Sequence, residues 1–177
     1  MLRDVTERYT PLAPETLTPA QKPIYDAIAA ARHGSVPTPF HVFLQSPELA
    51  DRAQELGAFL RYRTGLPARL SELAILVTAK HWDAHYEWSV HEGEARKAGL
   101  PEDVIQAIAR GARPALAGDD AVVYDFAASF YEKRDVPDDV FERAVEKFGR
   151  RTVVELAGIL GYYSMLAIVM GIYRVTP

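Results

Sequence analysis

The sequence predicts an all-α domain, and three observations carry that prediction. Helix punctuation recurs along the chain, with segments opening on Pro, Ser, Thr or Asp and several closing on Gly. No Asn-Gly or Asp-Gly hairpin separates alternating apolar runs. At 177 residues, 49% of them apolar, the chain is long enough to bury one core without a metal or disulfide staple.

The first 47 residues hold seven of the twelve prolines: Pro11, Pro14, Pro19, Pro23, Pro37, Pro39 and Pro47. Such density reads as an extended N-terminal arm, residues 1–45, with one helix near Pro19 to Arg32. Ile24, Tyr25, Ile28, Phe40, Val42, Phe43 and Leu44 need cover, so the arm is expected to wrap the body or a neighbouring subunit.

The helical body is read over residues 46–177. Ser46-Pro47 supplies an N-cap and a proline at the first helical position; Leu49, Ala53, Leu56 and Leu60 follow on one face, and Gly65 closes the helix. The apolar run Leu70 to Lys80 makes a second helix. Asp83 is placed as the cap of a third, ending at Gly99, and Pro101 to Arg110 forms a fourth, closed by Gly111. Asp119 to Arg134 sets Val122, Val123, Phe126 and Phe130 on one side. Pro137 opens another helix with Val140, Phe141, Ala144, Val145 and Phe148 inward and Gly149 past its end. Thr152 and Glu155 fit a capping box for the last helix. Glu72-Leu73-Ala74 and Glu155-Leu156-Ala157 echo each other, compatible with a duplicated helical unit.

Composition narrows function. A net charge of −4 without long runs of either sign is unlike a phosphate-binding surface, so nucleic acid is not an expected partner. The opening Met1 to Arg8 carries acids and lacks an apolar stretch, unlike a secretory signal, and a cytoplasmic location is expected. Leu156 to Tyr173 is 18 residues without a charge, the lower limit for a membrane span. Its three glycines, three tyrosines and serine, with Glu155 and Arg174 tight at the ends, favour a buried or interface helix instead, with no membrane partner. The absence of cysteine excludes thiolate nucleophiles, CxxC redox pairs, disulfides and Cys-type metal sites.

One segment is dense in chemistry: Glu72, His81, Trp82, Asp83, His85, Tyr86, Glu87, Trp88 and His91 fall within twenty residues. On a helix, positions 84, 87, 88 and 91 share a face, so Glu87, Trp88 and His91 are expected to project together. A carboxylate one turn before an imidazole can set its tautomer and make a general acid or base. Plainer readings stand beside this. Glu87 and His91 also fit an ordinary surface pair, the tryptophans fit a core, and Glu72 fits a helix N-terminus. His81, His85 and His91 with a carboxylate would be the ligands of a metalloenzyme, although the HExxH order is absent.

The order Glu72, Ala84, Glu87, His91, followed by Ala95 and Ala98-Gly99-Leu100-Pro101, resembles the core of the carboxymuconolactone decarboxylase family, which includes alkyl hydroperoxidase D. In the hydroperoxidase branch the core reads Glu, CxxC, three residues and His. Here Ala84 and Glu87 stand at the two cysteine positions. Tyr86-Glu87-Trp88-x-x-His91 is similar to the cysteine-free branch. The resemblance implies an alkyl hydroperoxidase D-like helical fold, assembly as homotrimers or homohexamers, and no thiol peroxidase activity.

On this basis the expected function is cofactor-free acid–base chemistry, as decarboxylase, isomerase or lactone hydrolase, on a small carboxylated or unsaturated metabolite of aromatic-compound breakdown. Glu72, Glu87 and His91 are the candidate catalytic residues, and Trp82, His85, Tyr86 and Trp88 the candidate substrate-binding residues. Arg69 or Arg63 is the expected anchor for an anionic substrate. A non-catalytic oligomer that binds a ligand or another protein is the alternative.

Overall fold

The structure, a computed structural model, describes residues 8–32 and 34–177. The opening residues 1–7, on which the reading of a non-secretory start rests, lie outside the described residues. Among those described, every regular element is a helix: a short 3-10 turn at Pro14–Thr16, then α1 (Lys22–Ala30), α2 (Thr38–Phe43), α3 (Pro47–Tyr62), α4 (Ala68–His81), α5 (His85–Lys97), α6 (Glu102–Ala109), α7 (Gly118–Lys133) and α8 (Asp138–Tyr173).

Helix α4 is the hub. Residues from Leu70 to Ala79 are buried without interruption, because α5, α6, α7, α8 and α3 all pack around it. That is the expected fate of a helix apolar on every side. Helix α8 is two helices joined across a break at Gly149, whose φ of 78° and ψ of 158° are non-helical; this is backbone that glycine adopts most readily. The arm beyond the break carries the uncharged stretch. It is the one helix among the described residues long and apolar enough to cross a membrane, yet Leu156, Ile159, Leu160, Leu166 and Met170 are buried.

The N-terminal segment packs onto this body through Ile28, Phe40, Phe43 and Leu44, all buried. It holds a second helix, α2, that the reading of one helix omits. Pro37 and Pro39 set its first turn, where a missing N–H costs nothing. Buried Gln21 donates to the Leu44 carbonyl at 3.0 Å and ties the start of α1 to the end of α2.

Several sequence expectations change here. Leu49 and Leu56 are exposed, and α3 buries Ala50, Ala53, Gly57 and Leu60 instead. Phe130 and Phe141 also face outward. Asp83 does not cap α5. It sits at φ 50° just past the end of α4, whose last turn closes through Ala84 N–H to Ala79 O and Asp83 N–H to Lys80 O, the paired bonds of a Schellman stop. Thr152 and Glu155 do not form a capping box, since the helical break lies upstream at Gly149. Glu155 instead accepts the Gly65 backbone N–H at 2.7 Å, fastening the α3–α4 loop to α8.

Candidate functional site

Helix α5 follows α4 after a turn of only a few residues, and the two pack side by side. Packing brings His91, two turns into α5, against Glu72 on α4. His91 Nδ1 lies 2.7 Å from Glu72 Oε2. An ionised carboxylate can only accept, which places the imidazole hydrogen on Nδ1 and leaves Nε2 with its lone pair. On that side stands Glu87, one turn earlier, with Oε2 at 3.7 Å from Nε2. Glu72, Glu87 and His91 are only 7%, 4% and 3% exposed, so the surface-pair reading of Glu87 and His91 does not hold.

Burial pushes the Glu87 carboxyl above its ordinary value, with His91 and Arg61 pulling only partly the other way. Its Oε1 is buried with no hydrogen-bond partner. Such a group is rare in a folded protein. A carboxyl held this way tends to carry a proton and offers it into the adjoining space.

That space is a cavity of roughly 180 Å³ formed where α3, α5 and α8 meet the N-terminal segment. Glu87, His91 and Tyr86 line it from α5, Gly57 and Arg61 from α3, and Tyr162 and Tyr163 from α8. The Tyr163 ring meets His91 edge-on, with centroids 4.9 Å apart. Burial raises both tyrosines, Tyr162 to about 12 and Tyr163 well above its ordinary value, so both remain neutral hydroxyls. Tyr162 approaches α3 so closely that a Cβ on Gly57 would stand 2.3 Å from its hydroxyl.

Arg61 is one of two cations that line this cavity. Burial works against its charge, and the nearby carboxylates Glu72 and Glu94 favour it, so the guanidinium stays protonated. No carboxylate among the described residues lies within salt-bridge distance of it. The expected anchors are elsewhere: Arg69 pairs with Asp120 on α7, and Arg63 lies over the Phe59 ring. Arg32, after α1, also lines the cavity.

Tyr86 is thus the one expected substrate-binding residue that reaches this space. Trp82 caps α4 and donates its indole N–H to Ser164 on the other side of α8. His85 is exposed and lies near Asp83 at 3.6 Å. Trp88, half-buried, lines a separate depression with Ala79 and Lys80; it does not share the inward face with Glu87 and His91. The Schellman stop at Asp83 turns the chain between α4 and α5, so neighbours in sequence point to different faces. The same turn separates His81, stacked on Tyr131 at 4.2 Å, from His85 and His91, and the three do not converge as metal ligands would.

Tyr162 and Tyr163 could not be found from the local motif, because they come from α8, far away in sequence, and Arg61, although close to Glu72 along the chain, is set apart from Arg63 and Arg69 only by packing. The only signal was a tyrosine pair inside an otherwise apolar helix.

Residues 47–128 match the Carboxymuconolactone decarboxylase family, a span that includes Arg61, Glu72, Glu87 and His91 but stops short of Tyr162 and Tyr163. No curated protein matches the sequence. Among solved structures, the chain is similar to one described as an uncharacterized peroxidase-related protein from Silicibacter sp. TM1040. The TM-score is 0.76 at 16% identity, covering 100% of this chain and 95% of that one; this likeness shows a shared fold. With the helical fold and the Glu72, Glu87 and His91 cluster set within the matched span, the chain is similar over residues 47–128 to the carboxymuconolactone decarboxylase family.

Proposed function

We propose that the protein is an acid–base enzyme acting on a small carboxylated or unsaturated metabolite, of the kind met in aromatic-compound breakdown. The observation that carries this reading is the buried Glu87 carboxyl. Its Oε1 is unpartnered, it sits 3.7 Å from an imidazole whose other nitrogen is held by Glu72, and Glu87 and that imidazole line a cavity together with Arg61.

In decarboxylation the bond to the departing carboxylate breaks and its electron pair moves into the conjugated system of the substrate. Arg61 offsets the negative charge that builds up there. Glu87 then gives its proton to carbon and is left as a carboxylate, and His91 Nε2, once protonated from solvent, restores it. Isomerisation of a double bond uses the same groups, with one taking a proton at one carbon and returning it at another. Tyr86 supplies a hydroxyl at the rim. Thiol peroxidase chemistry is excluded for this chain, since it has no cysteine.

The reading extends to a cytoplasmic homotrimer or homohexamer, supported by the exposed Val154, Ile168 and Ile172 on α8. A screen of carboxylated lactones and dienoates, followed by ultraviolet absorbance, tests the activity. Turnover by the wild-type protein that His91→Ala abolishes is the expected result. Turnover unchanged in His91→Ala would overturn it, and binding without turnover in the wild type would establish the non-catalytic alternative.

A further inference from the structure

A second cavity lies on the opposite side of α8 from Tyr162 and Tyr163. We propose that this cavity, between the end of α4, α7 and the second arm of α8, is a binding site for an aromatic carboxylate. It has a volume of roughly 340 Å³, enough for a two-ring compound and larger than the Glu87 cavity. Phe126, Phe130, Leu160 and Val136 give it apolar walls.

The polar atoms in its walls are bonded to each other. The Tyr131 hydroxyl donates to Thr78 Oγ1 at 2.9 Å, and Thr78 donates to the Ala74 carbonyl at 2.8 Å. The Trp82 indole N–H donates to Ser164 Oγ at 2.8 Å. Two groups remain unspent. Arg134, at the C-cap of α7, lines the cavity, and no carboxylate among the described residues lies within salt-bridge distance of it. His81, stacked on Tyr131, has no hydrogen bond at either ring nitrogen among the described residues; burial and the neighbouring Arg134 hold it below its ordinary value, hence neutral.

The chemistry that fits is a flat apolar body with one negative end. The ring lies along aromatic walls, which favour aromatic neighbours. The carboxylate meets a planar guanidinium that can bind it through two parallel hydrogen bonds. Trp82 and Phe130, 41% and 42% exposed, stand at the mouth, where large apolar side chains in the open mark a binding face. An uncharged apolar compound would leave Arg134 unmatched, so the cation decides the ligand class.

Calorimetric titration of the full chain with naphthoate, and with naphthylmethanol as its uncharged counterpart, tests the proposal. Naphthoate is expected to bind, and Arg134→Gln to weaken it about tenfold while leaving naphthylmethanol unchanged. Gly161→Leu is expected to abolish naphthoate binding by filling the cavity. A Cβ at Gly161 meets nothing within 4 Å, so the variant should melt normally, and Arg134→Gln decides the matter if it does not. His91→Gln, in the other cavity, should leave the affinity within about twofold of the wild type. No binding at millimolar naphthoate, equal affinity in Arg134→Gln, or loss of binding in His91→Gln would each overturn the proposal.

Discussion

Glu72 Oε2 and His91 Nδ1 meet at 2.7 Å between α4 and α5, both buried and nineteen residues apart in sequence. The bond fixes the imidazole and also fastens one helix to the other. Glu72→Ala leaves the Nδ1 hydrogen buried without a partner and is expected to cost about 1–3 kcal/mol in urea unfolding. Glu72→Gln keeps an acceptor for that hydrogen but removes the charge. Its melting temperature should stay close to that of the wild type, while turnover falls by about 10²-fold or more. A Gln variant as active as the wild type would show that the carboxylate only holds the helices together.

Glu87 sets a pH dependence of stability. Its carboxyl is raised by burial, so above the ordinary value of 4.5 the folded chain holds a proton that the unfolded chain has lost. Stability contributed by this group therefore declines as pH rises from 4.5 to the raised value, and then levels off. Glu87→Gln cannot titrate. Thermal unfolding of the variant against pH should lack this decline, and turnover should fall by about 10²-fold or more.

Arg61 is expected to act on charge, beyond any packing role. Arg61→Met keeps the length of the side chain and removes the guanidinium. For a carboxylated substrate, KM should rise by about tenfold or more, as for loss of one charge-assisted hydrogen-bonded pair. Binding of an uncharged analogue should change little in a direct titration. Equal losses for both would point to packing alone.

Gly57 permits the close approach of Tyr162. An added methyl would stand 2.3 Å from the tyrosine hydroxyl, so Gly57→Ala forces Tyr162 away and is expected to cost about 1–3 kcal/mol. The gain in helix propensity offsets at most about 1 kcal/mol. A lower melting temperature is the expected outcome, and Tyr162→Phe in the same background should restore part of the loss.

Glu155 acts in the opposite sense to Glu87. The Gly65 N–H, and then Arg151, hold its carboxyl below the ordinary value. Its contribution is present at neutral pH and is lost as pH falls through that lowered value. Glu155→Ala leaves the Gly65 N–H without its carboxylate and should cost about 1–3 kcal/mol at neutral pH. The difference from the wild type should shrink in acid, measured by urea unfolding at both pH values.

Much of the fold was legible because helices announce their ends locally. Pro47, Pro101 and Pro137 stand at helix starts, and Gly99 and Gly111 just past helix ends. The site was legible only along one segment. Glu72, Glu87 and His91 stand out as ionisable groups at helical spacing, yet the same spacing wrongly grouped Trp88 with them. Helical periodicity says which residues share a face, but the width of that face and what covers it depend on neighbouring helices. Leu49 and Leu56 failed for that reason, since α3 turns its small residues Ala53 and Gly57 inward.

By itself the sequence determined an all-helical chain, the family core around Glu72 and His91, and the exclusion of thiol chemistry by the lack of cysteine. Tertiary structure alone decided which cation joins that core. Arg61, Arg63 and Arg69 lie within nine residues of one another in sequence, yet Arg69 is taken by Asp120 and Arg63 by Phe59, leaving Arg61 at the cavity. The reason is physical: partners of a buried charge come from whichever helices pack against it, and contacts between distant helices leave no local pattern in the chain.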